Sequence, residues 1–166
     1  MIVVYTGNGK GKTSASTGQV VRALGHGYSV AFGQFMKNDD KSGEQHVLKK
    51  LIEDVYIAGP GFLRHPDEMP HQQECAQKLL QWAHTMLEKV HVLVLDEALY
   101  ALSYDIISQS DMEELIKKAR ALDKDLILSG RGLPDWLRDE ADLVSEITEI
   151  KHPYKQGIGA KAGIDF

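Results

Sequence analysis

The sequence predicts an α/β fold: a mostly parallel central sheet flanked by helices. Three observations carry the prediction. Short apolar runs alternate with helical periods along the whole chain, the order that builds strand–helix–strand units. The run His91-Val92-Leu93-Val94-Leu95 is almost unbroken hydrophobe, as suits a central parallel strand covered on both faces. The first strand, Ile2-Val3-Val4-Tyr5-Thr6, leads directly into Gly7-Asn8-Gly9-Lys10-Gly11-Lys12-Thr13-Ser14, a glycine-rich turn that opens a helix.

That turn is the strongest local signal. Backbone N–H groups, a lysine and the first turn of a helix converge there in the way that cradles a nucleoside triphosphate. The strict spacing requires glycine five positions before Gly11, where Thr6 stands. Gly7, Gly9 and Gly11 still allow backbone angles closed to other residues. Lys12 is expected on the phosphates and the Thr13 hydroxyl on Mg²⁺. Gly7, Asn8, Gly9, Lys10, Gly11, Lys12, Thr13 and Ser14 are therefore the expected ATP-binding loop, and the fold is expected to be P-loop NTPase-like.

The remaining elements follow in order. Residues 12–25 read as a helix through Ala15, Val20, Val21 and Leu24, stopped near Gly25 and Gly27. Ser29 to Met36 is the second strand. Residues 43–52 form a short helix with Val47, Leu48, Leu51 and Ile52 along one side. Val55 to Ala58 is the third strand, closed by Gly59-Pro60-Gly61. Phe62 to His71 lacks a period and holds two prolines, so it reads as an irregular loop at a strand end, where ligands sit in open α/β sheets. Ala76, Leu79, Leu80, Ala83, Met86, Leu87 and Val90 then mark four helical turns, with Trp82 at the edge of that face. A helix starts at Asp111 with Met112, Leu115, Ile116 and Ala119 inward. Leu126 to Ser129 is a strand, Pro134 opens a short helix, and Leu143 to Ile150 is the last strand. With no repeat or linker, residues 1–166 are expected to form one nucleotide-binding domain with a tail at 151–166.

Composition narrows the class. The net charge of −5 disfavours nonspecific nucleic-acid or anionic-membrane binding. The single cysteine, Cys75, excludes an internal disulfide framework and reads as buried filler. No signal peptide or long apolar span appears, so a cytoplasmic location is expected.

Asp96-Glu97 emerges from the apolar strand toward the phosphate loop. Mg²⁺ takes hard oxygen ligands and keeps several waters, so Thr13 with Asp96 or Glu97 suffices to hold it. Arg131, between Gly130 and Gly132 after a buried strand, is placed to fork onto phosphate or a ribose-side group. Lys37 and Asn38 follow the second strand toward the same cleft, and Asp39-Asp40-Lys41 reads as a wet turn. The seven histidines show no paired metal spacing; His65 and His71 share the irregular loop. On these motifs alone a nucleoside or small-molecule kinase, an ATPase or a nucleotide-gated switch fits, although no arginine-rich lid is present.

Several segments together resemble the P-loop corrinoid adenosyltransferases, also called cob(I)yrinic acid a,c-diamide adenosyltransferases. They are Thr6 to Thr13, Gln34-Phe35-Met36-Lys37, Val94 to Tyr100, Ser129-Gly130-Arg131-Gly132, Ala141 to Glu146, and the closing stretch from His152-Pro153-Tyr154 to Gly163-Ile164-Asp165-Phe166. The resemblance implies transfer of the 5′-deoxyadenosyl group of ATP to Co(I) of a corrinoid, cob(I)alamin or cobyrinic acid a,c-diamide, with release of triphosphate. It implies ATP lying in the reversed sense, with its 5′ carbon toward the second substrate. Co(I) is then the nucleophile and no side-chain base is required; Lys12 and Phe62 are supporting residues. It also implies a homodimer and allows a reducing flavoprotein as partner. The family's Gly-Phe motif is matched by Gly61-Phe62, with Arg64 where tryptophan is usual, so Phe62 and Arg64 are the expected corrinoid contacts. The chain opens on its first strand, so closure of the site is expected from another segment or from the partner subunit.

Overall fold

Alternation along the strands decides the architecture. In the computed structural model, which describes residues 1–38, 42–63 and 65–165, six strands form one sheet: β1 (Ile2–Thr6), β2 (Val30–Phe35), β3 (Val55–Ala58), β4 (Val92–Asp96), β5 (Asp125–Ser129) and β6 (Leu143–Glu146). Their order is β3-β2-β4-β5-β1-β6, and every pairing is parallel. Asp39, Asp40, Lys41, Arg64 and Phe166 lie outside the described residues, and with them the expected wet turn and the expected corrinoid contact of Arg64.

Successive side chains of a strand point to opposite faces, and two cores result. Ile2, Val4, Ala31, Leu93, Leu95, Leu126 and Leu128 face one side. There they meet α3 (Met69–Met86), α4 (Ala98–Ser103), α5 (Gln109–Ala121) and α6 (Asp135–Glu140). Val3, Val30, Phe32, Val94 and Ile127 face the other, under α1 (Lys12–Gly25) and α2 (Gly43–Leu51). Truncating a buried leucine such as Leu93 to alanine costs about 2–5 kcal/mol. A side chain at Gly33 would lie 2.8 Å from Leu95 Cδ2 and 2.9 Å from Leu79 Cδ1, so glycine lets α3 seat on the sheet.

The sequence misplaced several details. Pro66 starts a 3-10 turn (Pro66–Glu68), and Pro70 lies in the first turn of α3. A missing N–H costs nothing in a first helical turn, so the irregular stretch is shorter than expected. Asp111 does not start α5; Ser108 caps it and Asp111 completes the capping box. Val21, Val47 and Leu51 are about half exposed instead of inward. The last strand ends at Glu146. Cys75 is only partly buried, at the edge of the first core. None of the helices among the described residues is long and apolar enough to cross a membrane.

Candidate active site

The carboxyl ends of β1, β4 and β5 meet at one point of the sheet, and the glycine-rich turn closes over it. Gly9 N–H donates to the Ile147 carbonyl at 2.7 Å, just beyond β6. A Cβ at Gly9 would stand 2.6 Å from that oxygen and one at Gly7 2.4 Å, so the loop can lie this close to Ile147 only as glycine. Gly7, at φ +103°, packs against this edge and is not among the residues lining the cavity. Gly11, at φ +118°, makes the turn into α1, where the Ala15 N–H picks up its carbonyl at 2.8 Å.

The cavity above the loop has a volume of about 760 Å³. Asn8, Gly9, Lys10, Gly11, Lys12, Thr13 and Ser14 line it, with Arg131, Glu97, Lys37 and Phe62. The structure thus gathers most of the residues expected from sequence. Asn38 does not join them: its Nδ2 donates to the Pro60 carbonyl at 2.5 Å, in a smaller adjacent cleft. His65 and His71 are exposed and outside the cavity.

Lys12 is nearly buried, and its Nζ donates back to the Gly9 carbonyl at 2.8 Å. Burial, and then the charge of Arg131, hold its ammonium below the usual lysine range, against the pull of Glu97 and Asp96. Two cations, Lys12 and Arg131, therefore share one cavity, where an anion would relieve their repulsion.

Asp96 is fully buried at the end of β4. Thr13 Oγ1 donates to its Oδ2 at 3.0 Å, Gln34 Nε2 donates to the same oxygen at 2.8 Å, and Ser129 Oγ donates to Oδ1. Burial pushes its carboxyl up, and these donors oppose the shift. Glu97 follows at φ +59°, a left-handed turn that starts α4 and swings the side chain into the cavity. Burial, with Asp96 beside it, raises Glu97 to about 7. Thr13 and Glu97 line the cavity, while Asp96 does not and stands buried behind Thr13; together they carry the hydroxyl and carboxylate oxygens that a hard divalent cation takes.

Aromatic rings share the cavity with the loop. Phe62 is 44% exposed and meets Tyr100 edge-on with ring centroids 5.6 Å apart. Tyr100 stacks on Tyr104 at 4.5 Å, and Lys37 Nζ lies 5.5 Å from the Phe62 ring centre. A hydrogen bond to Tyr104 and burial push the Tyr100 phenol up to about 12, so it stays neutral at physiological pH. A flat apolar substrate could rest on such rings. The chain end joins them: His152, Gly163, Ile164 and Asp165 line the cavity, and Asp165 forms an ion pair with Lys10.

Sequence reasoning did not assign Tyr100, Gln34 or Asp165 to the site. Gln34 did leave a trace, as a lone amide inside an apolar strand. Tyr100 falls three residues after Glu97, one helical turn along, but α4 was not anticipated. Asp165 carried no local signal.

Comparison with known proteins adds a family and a fold. The family model described as ATP:corrinoid adenosyltransferase BtuR/CobO/CobP matches residues 1–166. A corrinoid adenosyltransferase from Sinorhizobium sp. is 33% identical over 171 residues, covering 100% of this chain and 80% of that protein. Corrinoid adenosyltransferase CobA of Salmonella typhimurium is 34% identical over 170 residues, covering 100% and 85%. The genome packaging NTPase B204 of Sulfolobus turreted icosahedral virus 2, solved in complex with ATP-gammaS, superposes with a TM-score of 0.58 at 19% identity, covering 92% of this chain and 76% of that one. The last likeness bears on fold alone, a mostly parallel central sheet flanked by helices.

Proposed function

Because this chain belongs to the ATP:corrinoid adenosyltransferase family and transfers the adenosyl group of ATP to a corrinoid, we propose that its cavity holds both substrates, at the phosphate cradle and the aromatic rings. The observation that carries this reading is one cavity lined by both Lys12 and Thr13 and by Phe62 and Tyr100. Residues 1–166 act as one nucleotide-binding domain.

In this reading the triphosphate lies along Asn8 to Ser14, and the 5′ carbon of ATP points toward Phe62. The corrinoid rests against Phe62, Tyr100 and Lys37. The Co(I) electron pair attacks C5′, the C5′–O5′ bond breaks, and its electrons leave on triphosphate. Cobalt ends as Co(III) bonded to carbon. No proton moves, so no side-chain base is needed. Negative charge grows on the departing α-phosphate oxygen. Lys12, Arg131 and the loop N–H groups are placed to receive it, and one well-placed donor of this kind contributes roughly 10²–10³ in rate. Phe62 and Tyr100 exclude water from the nucleophile.

Thr13, Asp96 and Glu97 are the residues that would hold Mg²⁺, which when bound would neutralise part of the triphosphate charge. His152 and the Gly163–Asp165 stretch close the cavity as its lid. The same reading takes the protein as a cytoplasmic homodimer supplied with Co(I) by a reducing flavoprotein.

A methylene-bridged β,γ analogue of ATP tests this reading. Transfer at C5′ breaks no phosphorus–oxygen–phosphorus bridge, so the analogue should remain a substrate with reduced corrinoid. A kinase or ATPase at this site would be blocked by it, and loss of turnover with retained binding would contradict the proposal.

A further inference from the structure

Asp96 reaches the phosphate loop through Thr13, but its other donors come from deeper in the protein. Gln34 is fully buried in β2, and Gln45 is 1% exposed in α2. Gln45 Nε2 donates to Gln34 Oε1 at 2.8 Å, and Gln34 Nε2 donates to Asp96 Oδ2 at 2.8 Å. The second N–H of Gln34 leans toward Glu44 Oε1 at 3.5 Å. Thr13 Oγ1 completes the line at the same carboxylate oxygen.

With Asp96 ionised, the polarity of this line is fixed. A carboxylate only accepts, so Gln34 must turn its NH₂ toward Asp96. Its carbonyl oxygen then faces α2, and a buried carbonyl needs a donor. Gln45 is that donor. Reversing either amide would press a carbonyl oxygen against Asp96 or leave two facing oxygens unpaired. A hydrophobic residue at either place would fill space equally well but would not set the carboxylate's orientation.

We infer that Gln34 and Gln45 are positioning residues, a relay from α2 through β2 that fixes the Asp96 carboxylate and, through it, the Thr13 hydroxyl. They touch no substrate. Their role is to keep the cation-side oxygens in one geometry before nucleotide arrives, since buried networks with every member satisfied lock rotamers. Gly43 and Glu44, at the start of α2, line the cavity. The relay therefore ties the cavity wall to the phosphate loop. This inference rests on the reading of Thr13 and Asp96 as the cation side of the site.

The test measures ATP affinity of the corrinoid-free protein, once with excess Mg²⁺ and once with EDTA, and takes the ratio. Gln45→Leu removes the donor. Gln45→Glu keeps the shape but accepts where glutamine donates, and so turns the Gln34 amide over. Both variants should keep the EDTA affinity and lose about tenfold of the Mg²⁺-dependent gain, the scale of one misplaced charge-assisted contact. Gln34→Leu should do the same, and Gln34→Leu with Gln45→Leu should lose no more than Gln34→Leu alone, because one line is already broken. Asp96→Asn is the reference. If it loses the Mg²⁺ gain while both Gln45 variants keep it, the relay is wrong and the cation reading stands. If Asp96→Asn also keeps the gain, the cation reading fails and the relay with it. Equal losses with and without Mg²⁺ in the Gln45 variants would show a merely structural role and overturn the inference.

Discussion

Thr13 and Asp96 are 83 residues apart in sequence, and the Thr13 hydroxyl donates to the Asp96 carboxylate at 3.0 Å. The contact joins the first turn of α1 to the end of β4, behind the cavity that Thr13 lines. Thr13→Ala removes the hydroxyl and leaves Asp96 its donors Gln34 and Ser129. ATP affinity in excess Mg²⁺ should fall about tenfold, with affinity in EDTA little changed. Calorimetric titration under both conditions reads the difference.

Lys12 sits nearly buried with Arg131 as a like-charged neighbour. Lys12→Ala should weaken productive ATP use by roughly 10- to 100-fold, the range for a lost hydrogen bond to a charged group. The loss should appear in kcat/KM for ATP, with the folded protein retained, because the variant relieves a repulsion between cations. Steady-state kinetics against thermal melting of the same sample separates the two effects.

How much of this was legible in the sequence depends on range. The glycine-rich turn was, because its residues are local and its glycine requirement is written in consecutive letters; Asn8 to Ser14 line the cavity and Gly7 packs against Ile147 instead. The place of Asp96 and Glu97 at the strand end was, because an unbroken apolar run ends on them; that Glu97 enters the cavity and Asp96 stays buried was not. α4 was not: six residues are too few to show a period, and its start depends on the left-handed turn at Glu97. Pro66 and Pro70 read as loop residues because proline marks both loops and first helical turns. The Gln34–Gln45 pair and the Lys10–Asp165 pair were invisible, since each depends on two segments whose meeting is decided by the sheet order.

Phe62 exposes almost half its surface beside Tyr100 and Lys37 and lines the cavity. Phe62→Ala should raise the KM for corrinoid by roughly three- to tenfold, the scale of one aromatic contact, and leave ATP affinity unchanged. The effect should be larger when the assay starts from Co(II) than from chemically reduced Co(I). Parallel rate measurements from both oxidation states check it. Loss of ATP binding instead would place Phe62 against the nucleotide.

The sheet edge carries a pH-dependent tie. Ile2 N–H donates to Asp142 Oδ2 at 2.6 Å, and Arg120 lies beside the same carboxylate. The Ile2 backbone donor, the largest effect, holds the Asp142 carboxyl below its ordinary value; burial opposes it, and the Arg120 charge adds a smaller pull in the same direction as the donor. A depressed native pKa stabilises the fold at pH above the unfolded value and is lost as pH falls through the native one. Asp142→Asn should therefore lower the Tm at neutral pH, and the gap from the parent should narrow as pH falls below the ordinary aspartate range and through the lowered native value. Melting curves across that range read the difference between the two proteins.

The central claim is that the phosphate loop serves transfer at C5′ and not at phosphorus. Product analysis after a limited reaction with ATP and chemically reduced corrinoid tests it most directly. Triphosphate should appear in equal amount with a photolabile cobalt–carbon corrinoid, and Lys12→Ala should diminish both together. ADP as the main nucleotide product, with no cobalt–carbon bond formed, would contradict the account.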